Sequence, residues 1–272
     1  DPVNAGTYTA TGTINNTNYA GTASDTLTIN KAALTATLGS LSEKYGADAP
    51  TNTEWAATLT YSAFAGSDTS SVVDTSSLAV TYNAVVGNVA NYTATPAGLT
   101  ASNYTITHAA GSLAVTKAAA TVTLSDLSQT YDGNPSPASA SAKDSANNAL
   151  GGVTIGITYD GSTTAPTNAG SYAVVATIDD TNYSGTASGT LVVQKAAATV
   201  TLGALSQTYT GSALAATATT NPAGLDVTFS YSADPVNAGT YTATGTINNT
   251  NYAGTASDTL TINKAALTAT LG

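Results

Sequence analysis

The sequence predicts an all-β chain, a tandem array of small sandwich domains strung end to end as an extended rod. Three observations carry this. Apolar and small residues alternate strictly with threonine, the chain repeats itself at domain-sized intervals, and turn residues separate the alternating stretches with no sustained helical period anywhere.

The alternation is clearest in Thr7-Tyr8-Thr9-Ala10-Thr11-Gly12-Thr13-Ile14, where Tyr, Ala, Gly and Ile share one face and threonines the other. That is the two-residue period of a half-buried strand. Thr26-Leu27-Thr28-Ile29-Asn30 and Thr121-Val122-Thr123-Leu124 read the same way, and β-branched Thr and Val suit such a pleated surface. Between the strands lie turn formers: Pro2-Val3-Asn4-Ala5-Gly6, Asn15-Asn16 and Asp179-Asp180.

Residues 1–39 recur without change at 234–272, an offset of 233. Within that super-repeat, Lys31, Lys117, Lys195 and Lys264 each precede an Ala pair, at spacings of 86, 78 and 69. The stretch after each lysine is related: KAALTATLGSLSEKY from Lys31, KAAATVTLSDLSQTY from Lys117, KAAATVTLGALSQTY from Lys195. Each unit closes with a tyrosine pair: Tyr8/Tyr19, Tyr92/Tyr104, Tyr172/Tyr183 and Tyr241/Tyr252. A period this long exceeds one coil of a solenoid, so each period is expected to be a domain joined to the next almost without a linker. In order, the expected parts are the C-terminal half of a repeat at 1–31, domains at 32–117, 118–195 and 196–264, and a first strand of the next repeat at 265–272. Both ends fall inside repeats, which predicts either a stretch of a longer periodic protein or a subunit completed by its neighbours.

Composition narrows the function. Only 8% of residues are charged, against roughly 25% in an average soluble protein. The six cations are all lysines, scattered singly in a chain of net charge −10, so the clustered basic footprint of a nucleic-acid binder is missing. No apolar run is long enough to span a membrane as a helix. With no cysteine in the chain, disulfides and thiolate metal sites are excluded.

Candidate chemistry is sparse. His108 is the only histidine, and a triad or a His metal cluster would have to rest on it alone. It is expected one residue from a strand end, in a structural or surface role. Asp68, Asp74, Asp132, Asp144, Asp160, Asp179 and Asp180 do not follow a calcium-loop spacing. Asp179-Asp180 aligns with Asn15-Asn16 and Asn248-Asn249, an exchange that suits a turn and not a carboxylate ligand set. A Lys-Asn isopeptide bond involving Asn30 or Asn263 would need a buried acid beside it, yet Glu43 and Glu54 both belong to one unit. The sequons at Asn15, Asn91, Asn103, Asn182 and Asn248 are near chance in so Asn- and Thr-rich a chain. The tyrosines are expected in cores and corners rather than as a sugar platform. No residue is therefore assigned a catalytic, cofactor-binding or metal role, and no cofactor is expected.

Asn4-Ala5-Gly6-Thr7-Tyr8, repeated as Asn168-Ala169-Gly170-Ser171-Tyr172 and Asn237-Ala238-Gly239-Thr240-Tyr241, resembles the tyrosine corner that opens strand F of immunoglobulin-like sandwiches. The resemblance implies Ig-like β-sandwich domains. In the unit 32–117 the motif becomes Val89-Ala90-Asn91-Tyr92, without the glycine, which predicts a related subtype with a different corner. The Lys-Ala start, LSxxY, and Tyr45-Gly46-Ala47, Tyr131-Asp132-Gly133 or Tyr209-Thr210-Gly211 together resemble the bacterial MBG and YDG repeat families. The unit 32–117 is similar to the YGX type, and 118–195 and 196–264 are similar to the Y-x-G type. This resemblance implies a secreted or surface-anchored bacterial protein and no catalytic mechanism. The expected role is structural, in a stalk, spacer or extracellular fibre, with neighbouring repeats or identical chains as partners. The alternative is an adhesin module that itself binds a glycan, cell-surface or matrix ligand. Exposed sheet edges also leave lateral bundling or strand exchange open.

Overall fold

A computed structural model describes residues 1–269 of the chain, which divides into two compact units. The first comprises Asp1–Ala119 together with Asp180–Ser184, and the second Ala120–Asp179 with Gly185 onward. No helix among the described residues is long and apolar enough to cross a membrane.

The first unit opens on an antiparallel hairpin of Gly6–Thr13 and Thr22–Ile29, paired from Gly6 opposite Ile29 to Thr13 opposite Thr22. A sandwich follows. One of its sheets runs Ser40–Lys44, Gly111–Thr116, Ala90–Ala97, Ala79–Tyr82; the other runs Tyr104–Ala109, Ala32–Thr37, Thr60–Tyr61. The alternation seen in the sequence sets what meets between them: Leu34 and Ala36 from one sheet, Tyr92, Ala94, Leu113 and Val115 from the other.

One element runs against expectation. Asn52–Ala56 is a short helix, with Thr51 capping it: the Glu54 N–H donates to Thr51 Oγ1 at 3.3 Å and the Thr51 N–H donates to Glu54 Oε2 at 2.7 Å. This capping box satisfies two orphan donors at once. The turn it holds buries Trp55 completely, and Trp55 Nε1 donates to Tyr82 Oη at 2.9 Å.

In the second unit two sandwiches share one plan. The first has a four-stranded sheet ordered Ser128–Thr130, Thr186–Gln194, Gly170–Asp179, Thr154–Tyr159, facing the pair Thr121–Ser125 and Ser139–Lys143. The second repeats this with Ser206–Thr208, Thr255–Asn263, Gly239–Ile247 and Val227–Tyr231 facing Thr199–Gly203 and Thr217–Asn221. Thr154–Tyr159, Gly170–Asp179 and Thr186–Gln194 take the places of strands C, F and G of an Ig-like sheet. The opposite sheet is reduced to two strands. Every second residue of Gly170–Asp179 points inward, so Val174, Ala176 and Ile178 are buried, and Val174 meets Leu191 in the core.

The tyrosine corner is present four times. The hydroxyls of Tyr8, Tyr92, Tyr172 and Tyr241 each donate to the carbonyl four residues upstream, on Asn4, Asn88, Asn168 and Asn237, all at 2.8 Å. The different corner expected at Val89–Tyr92 is thus corrected: the bond needs only the tyrosine and an upstream carbonyl, and a non-glycine residue at position 90 leaves both in place. Replacing Tyr172 by Phe removes one hydrogen bond without opening a cavity. It is expected to destabilise its sandwich by about 1 kcal/mol, read as faster amide exchange along Gly170–Asp179.

Of the strand expected over 265–272, residues 270–272 lie outside the described residues, and 265–269 adopt no regular structure.

Candidate functional site

The residues weighed for chemistry are dispersed into structural roles. His108 is exposed on Tyr104–Ala109, opposite Ala36. Asp68 accepts from the Tyr104 hydroxyl at 2.8 Å, and Asp160 from the Ala173 N–H at 2.8 Å. Among the described residues no three His, Cys, Asp or Glu side chains converge on one point. The junction lysines end on backbone carbonyls: Lys31 Nζ on Ala101 at 3.1 Å, Lys117 Nζ on Asp180 at 2.6 Å and Lys195 Nζ on Asn249 at 2.6 Å. Asn263 Nδ2 reaches Ser206 Oγ and the Gln207 carbonyl, both at 3.2 Å, and Glu54 is occupied by its helix cap.

The Asp-for-Asn exchange has a direct explanation. Asp180 Oδ1 accepts from the N–H groups of Asn182 and Tyr183 at 2.7 and 2.9 Å; Asn249 Oδ1 accepts from those of Asn251 and Tyr252 at 2.8 and 3.1 Å. The turn needs one acceptor oxygen, which either side chain supplies.

Several exposed carboxylates are held below their ordinary pKa by such bonds. The causes are the Thr51 backbone N–H and then its hydroxyl for Glu54, Ser76 for Asp74, Asn134 for Asp132 and Asn148 for Asp144. A carboxylate whose folded pKa is depressed stabilises the fold above its unfolded pKa, about 4, and that contribution disappears as pH falls through the lower folded value. The melting temperature is therefore expected to hold flat from neutral pH to about 5 and to fall below about 4. Asp144→Asn, which keeps the acceptor oxygen but cannot titrate, should shallow that fall.

What the structure does build repeatedly is a clasp where one sequence repeat meets the next. In the first unit Asn103 Oδ1 accepts from the Ala5 N–H at 3.0 Å while Asn103 Nδ2 donates to Asn4 Oδ1 at 2.9 Å. Asn182 does the same to the Val89 N–H at 3.0 Å and Asn88 Oδ1 at 3.2 Å. In the second unit Asn251 binds the Ala169 N–H at 2.8 Å and Asn168 Oδ1 at 3.1 Å. Each clasp therefore joins the residue pair that begins a tyrosine corner to the asparagine before the second tyrosine of the following repeat.

Aromatic contacts reinforce two of the three. Tyr45 and Tyr183 meet edge to face with centroids 5.2 Å apart, and Tyr131 and Tyr252 at 5.4 Å. The tyrosine of LSxxY thus sits on the second tyrosine of the next repeat. Each clasp adds two hydrogen bonds worth about 1 kcal/mol each, and each ring pair about 0.5–1.5 kcal/mol. The second tyrosine's backbone is pinned in turn, as Ala118–Ala119 pairs in parallel with Tyr183–Ser184 and Ala196–Ala197 with Tyr252–Ala253.

Sequence reasoning registered the corner asparagines only as part of the tyrosine motif, and Asn103 and Asn182 only as sequons. The signal was there: an asparagine stands four residues before every corner tyrosine and directly before every second tyrosine.

Residues 1–33, 120–197 and 198–266 match the family described as MBG domain, and residues 34–114 match that described as MBG domain (YGX type). No curated protein matches the chain. Among solved structures it is similar to Drosophila N-cadherin EC1-4, at 11% identity over 96% of this chain and 83% of that one, with a TM-score of 0.29. It is also similar to the N-terminal eight Ig domains of Down Syndrome Cell Adhesion Molecule (DSCAM) isoform 1.30.30, at 13% identity over 96% of this chain and 44% of that one, with a TM-score of 0.21.

Proposed function

The chain belongs to the MBG domain family, and from that premise we propose that it is a structural tandem-repeat segment, a spacer in an extracellular stalk or fibre on a bacterial surface. The observation that supports this reading is the clasp, made by an asparagine to the equivalent two positions of the tyrosine corner at each of three successive repeat junctions. A linkerless joint held by two side-chain hydrogen bonds and a lysine-to-carbonyl bond resists bending better than a flexible tether. The division into 1–31, 32–117, 118–195, 196–264 and 265–272 is part of the proposal, as is the absence of catalysis.

Small-angle scattering tests it. Strands of ten residues are about 33 Å long, so repeats stacked along their strands give a radius of gyration of about 35 Å, against about 18 Å for a compact chain of this length. A value near the lower figure overturns the stalk. Force spectroscopy should show separate unfolding events for the three complete repeats, with contour lengths of about 24–30 nm each. Specific binding of this fragment on a glycan array would favour the adhesin reading instead.

A further inference from the structure

The path of the chain through each domain sets how that domain meets tension. In the YGX-type domain the entering segment, Ala32–Thr37 then Ser40–Lys44, lies parallel to the leaving segment, Tyr104–Ala109 then Gly111–Thr116. Six residue pairs, Ala32 opposite Tyr104 through Thr37 opposite Ala109, are followed by five, Ser40 opposite Ser112 through Lys44 opposite Thr116. Every pair is separated by the same 72 positions, as in the Ser40–Ser112 hydroxyl contact at 2.8 Å. Both segments switch sheets at one point without breaking the ladder. There the Leu38 N–H donates to the Ala109 carbonyl at 3.1 Å and the Ser112 N–H to the Gly39 carbonyl at 3.2 Å. The Tyr45 N–H, donating to the Thr116 carbonyl at 2.8 Å, closes the far end of this ribbon.

The other MBG domains interrupt the same ribbon. Ala118–Ala119 makes two pairs with Tyr183–Ser184, and Ser128–Thr130 makes three with Val192–Gln194. Ala196–Ala197 and Ser206–Thr208 repeat these two short pieces against Tyr252–Ala253 and Thr261–Asn263. Between the pieces, Thr121–Ser125 and Thr199–Gly203 pair instead with Ser139–Lys143 and Thr217–Asn221. Burial differs in the same direction. The Ala32–Thr37 half of the long ribbon is backed by buried Leu34, Ala36 and Tyr104, which keep water from its bonds. In Ala118–Ala119 and Ala196–Ala197, which stand in its place, neither residue is fully buried.

We propose that the YGX-type domain is a tension lock, whose ribbon of 32–44 against 104–116 breaks last, while the other MBG domains yield first and lengthen the chain at lower force. Because the first and last strands run parallel, the chain enters at one end of the ribbon and leaves at the other. Tension slides one strand along its partner and stretches all the evenly spaced bonds of the parallel ladder together. The barrier to forced unfolding therefore rises with the number of bonds that must break at once. The inference deepens the spacer reading and rests on it, since a spacer is the element that is pulled from both ends.

Pulled end to end, the chain should give its longest unfolding increment, about 30 nm, last of the three. That event should need about twice the force of the other two, in step with the number of bonds that share the tension. The chain has no cysteine, so Ser102→Cys, at an exposed residue beside the Ala32 end of the ribbon, supplies a unique second handle. With the first handle on residue 1, tension peels the ribbon from Ala32 and Tyr104 one bond after another. The domain should then open at about half its end-to-end force or less. End-to-end pulling of the same variant should return the wild-type forces, which shows that it is folded. Opening of this domain before the other two, one force for all three, or equal forces with the two handle positions would overturn the proposal. Scattering reads the chain without tension, so the spacer reading and the lock fail separately.

Discussion

Leu260→Ala is expected to destabilise its sandwich by about 2–5 kcal/mol, while Leu27→Ala should cost well under about 1 kcal/mol. The two leucines occupy equivalent positions in identical 39-residue segments. Leu260 is completely buried, packed with Ala243 and against Leu202, Phe229 and Tyr241. Leu27 is 44% exposed. Truncating the first removes side-chain carbons from a filled core and leaves a cavity; truncating the second removes carbons that water already reaches. Native-state hydrogen exchange resolves the two, since the loss should register in Gly239–Ile247 and Thr255–Asn263 for one variant and scarcely at all in Gly6–Thr13 and Thr22–Ile29 for the other. Equal losses would mean that the first hairpin is covered as fully as the second.

The second contrast comes from a glycine. At Gly254 the last strand leaves its pairing with Ala196–Ala197 and enters its pairing with Gly239–Ile247. A Cβ there would lie 2.0 Å from the Ala198 carbonyl oxygen and 3.0 Å from Ile247 Cδ1. The obstacle is backbone, so the crossing itself must move, and Gly254→Ala is expected to cost about 3 kcal/mol, the upper end of overpacking penalties. At the equivalent Gly21 a Cβ meets only the flexible end of Ile14, at 3.2 Å. There Gly21→Ala should be neutral or stabilise by up to about 1 kcal/mol through the unfolded chain. Gly185 and Gly111 sit at the matching crossings, where an added Cβ would lie 2.3 Å from the Ala120 oxygen and 2.1 Å from the Gly39 oxygen, and Gly185→Ala should behave as Gly254→Ala does. Separate chemical unfolding of these variants, followed by the tyrosine signal, reads the difference.

Much of this architecture was legible beforehand. The alternation over Thr7–Ile14 and its copies named the strands and their inward faces, because side-chain direction in a strand is set by its neighbours in the chain. The corner asparagines and tyrosines could be read for the same reason, the bond spanning four residues. The helix at Asn52–Ala56 escaped because five residues are too few for a helical period, although Thr51 and Glu54 spelled its cap. The clasp escaped because its partners lie 83 to 99 residues apart, and neither asparagine looks unusual alone.

The repeated segment separates the two kinds of information most clearly. By itself the sequence determined the period of the array, the in-and-out order of each strand and the turns between them, all consequences of local stereochemistry. Only the tertiary structure decided that Ala243, Leu260 and Ile262 are core while Ala10, Leu27 and Ile29 in the same words are more open. The second copy faces Thr199–Gly203 and Thr217–Asn221 and the first forms a sheet of two strands. Burial belongs to pairs of surfaces, so a strand's own residues can specify which face is apolar but not what covers it.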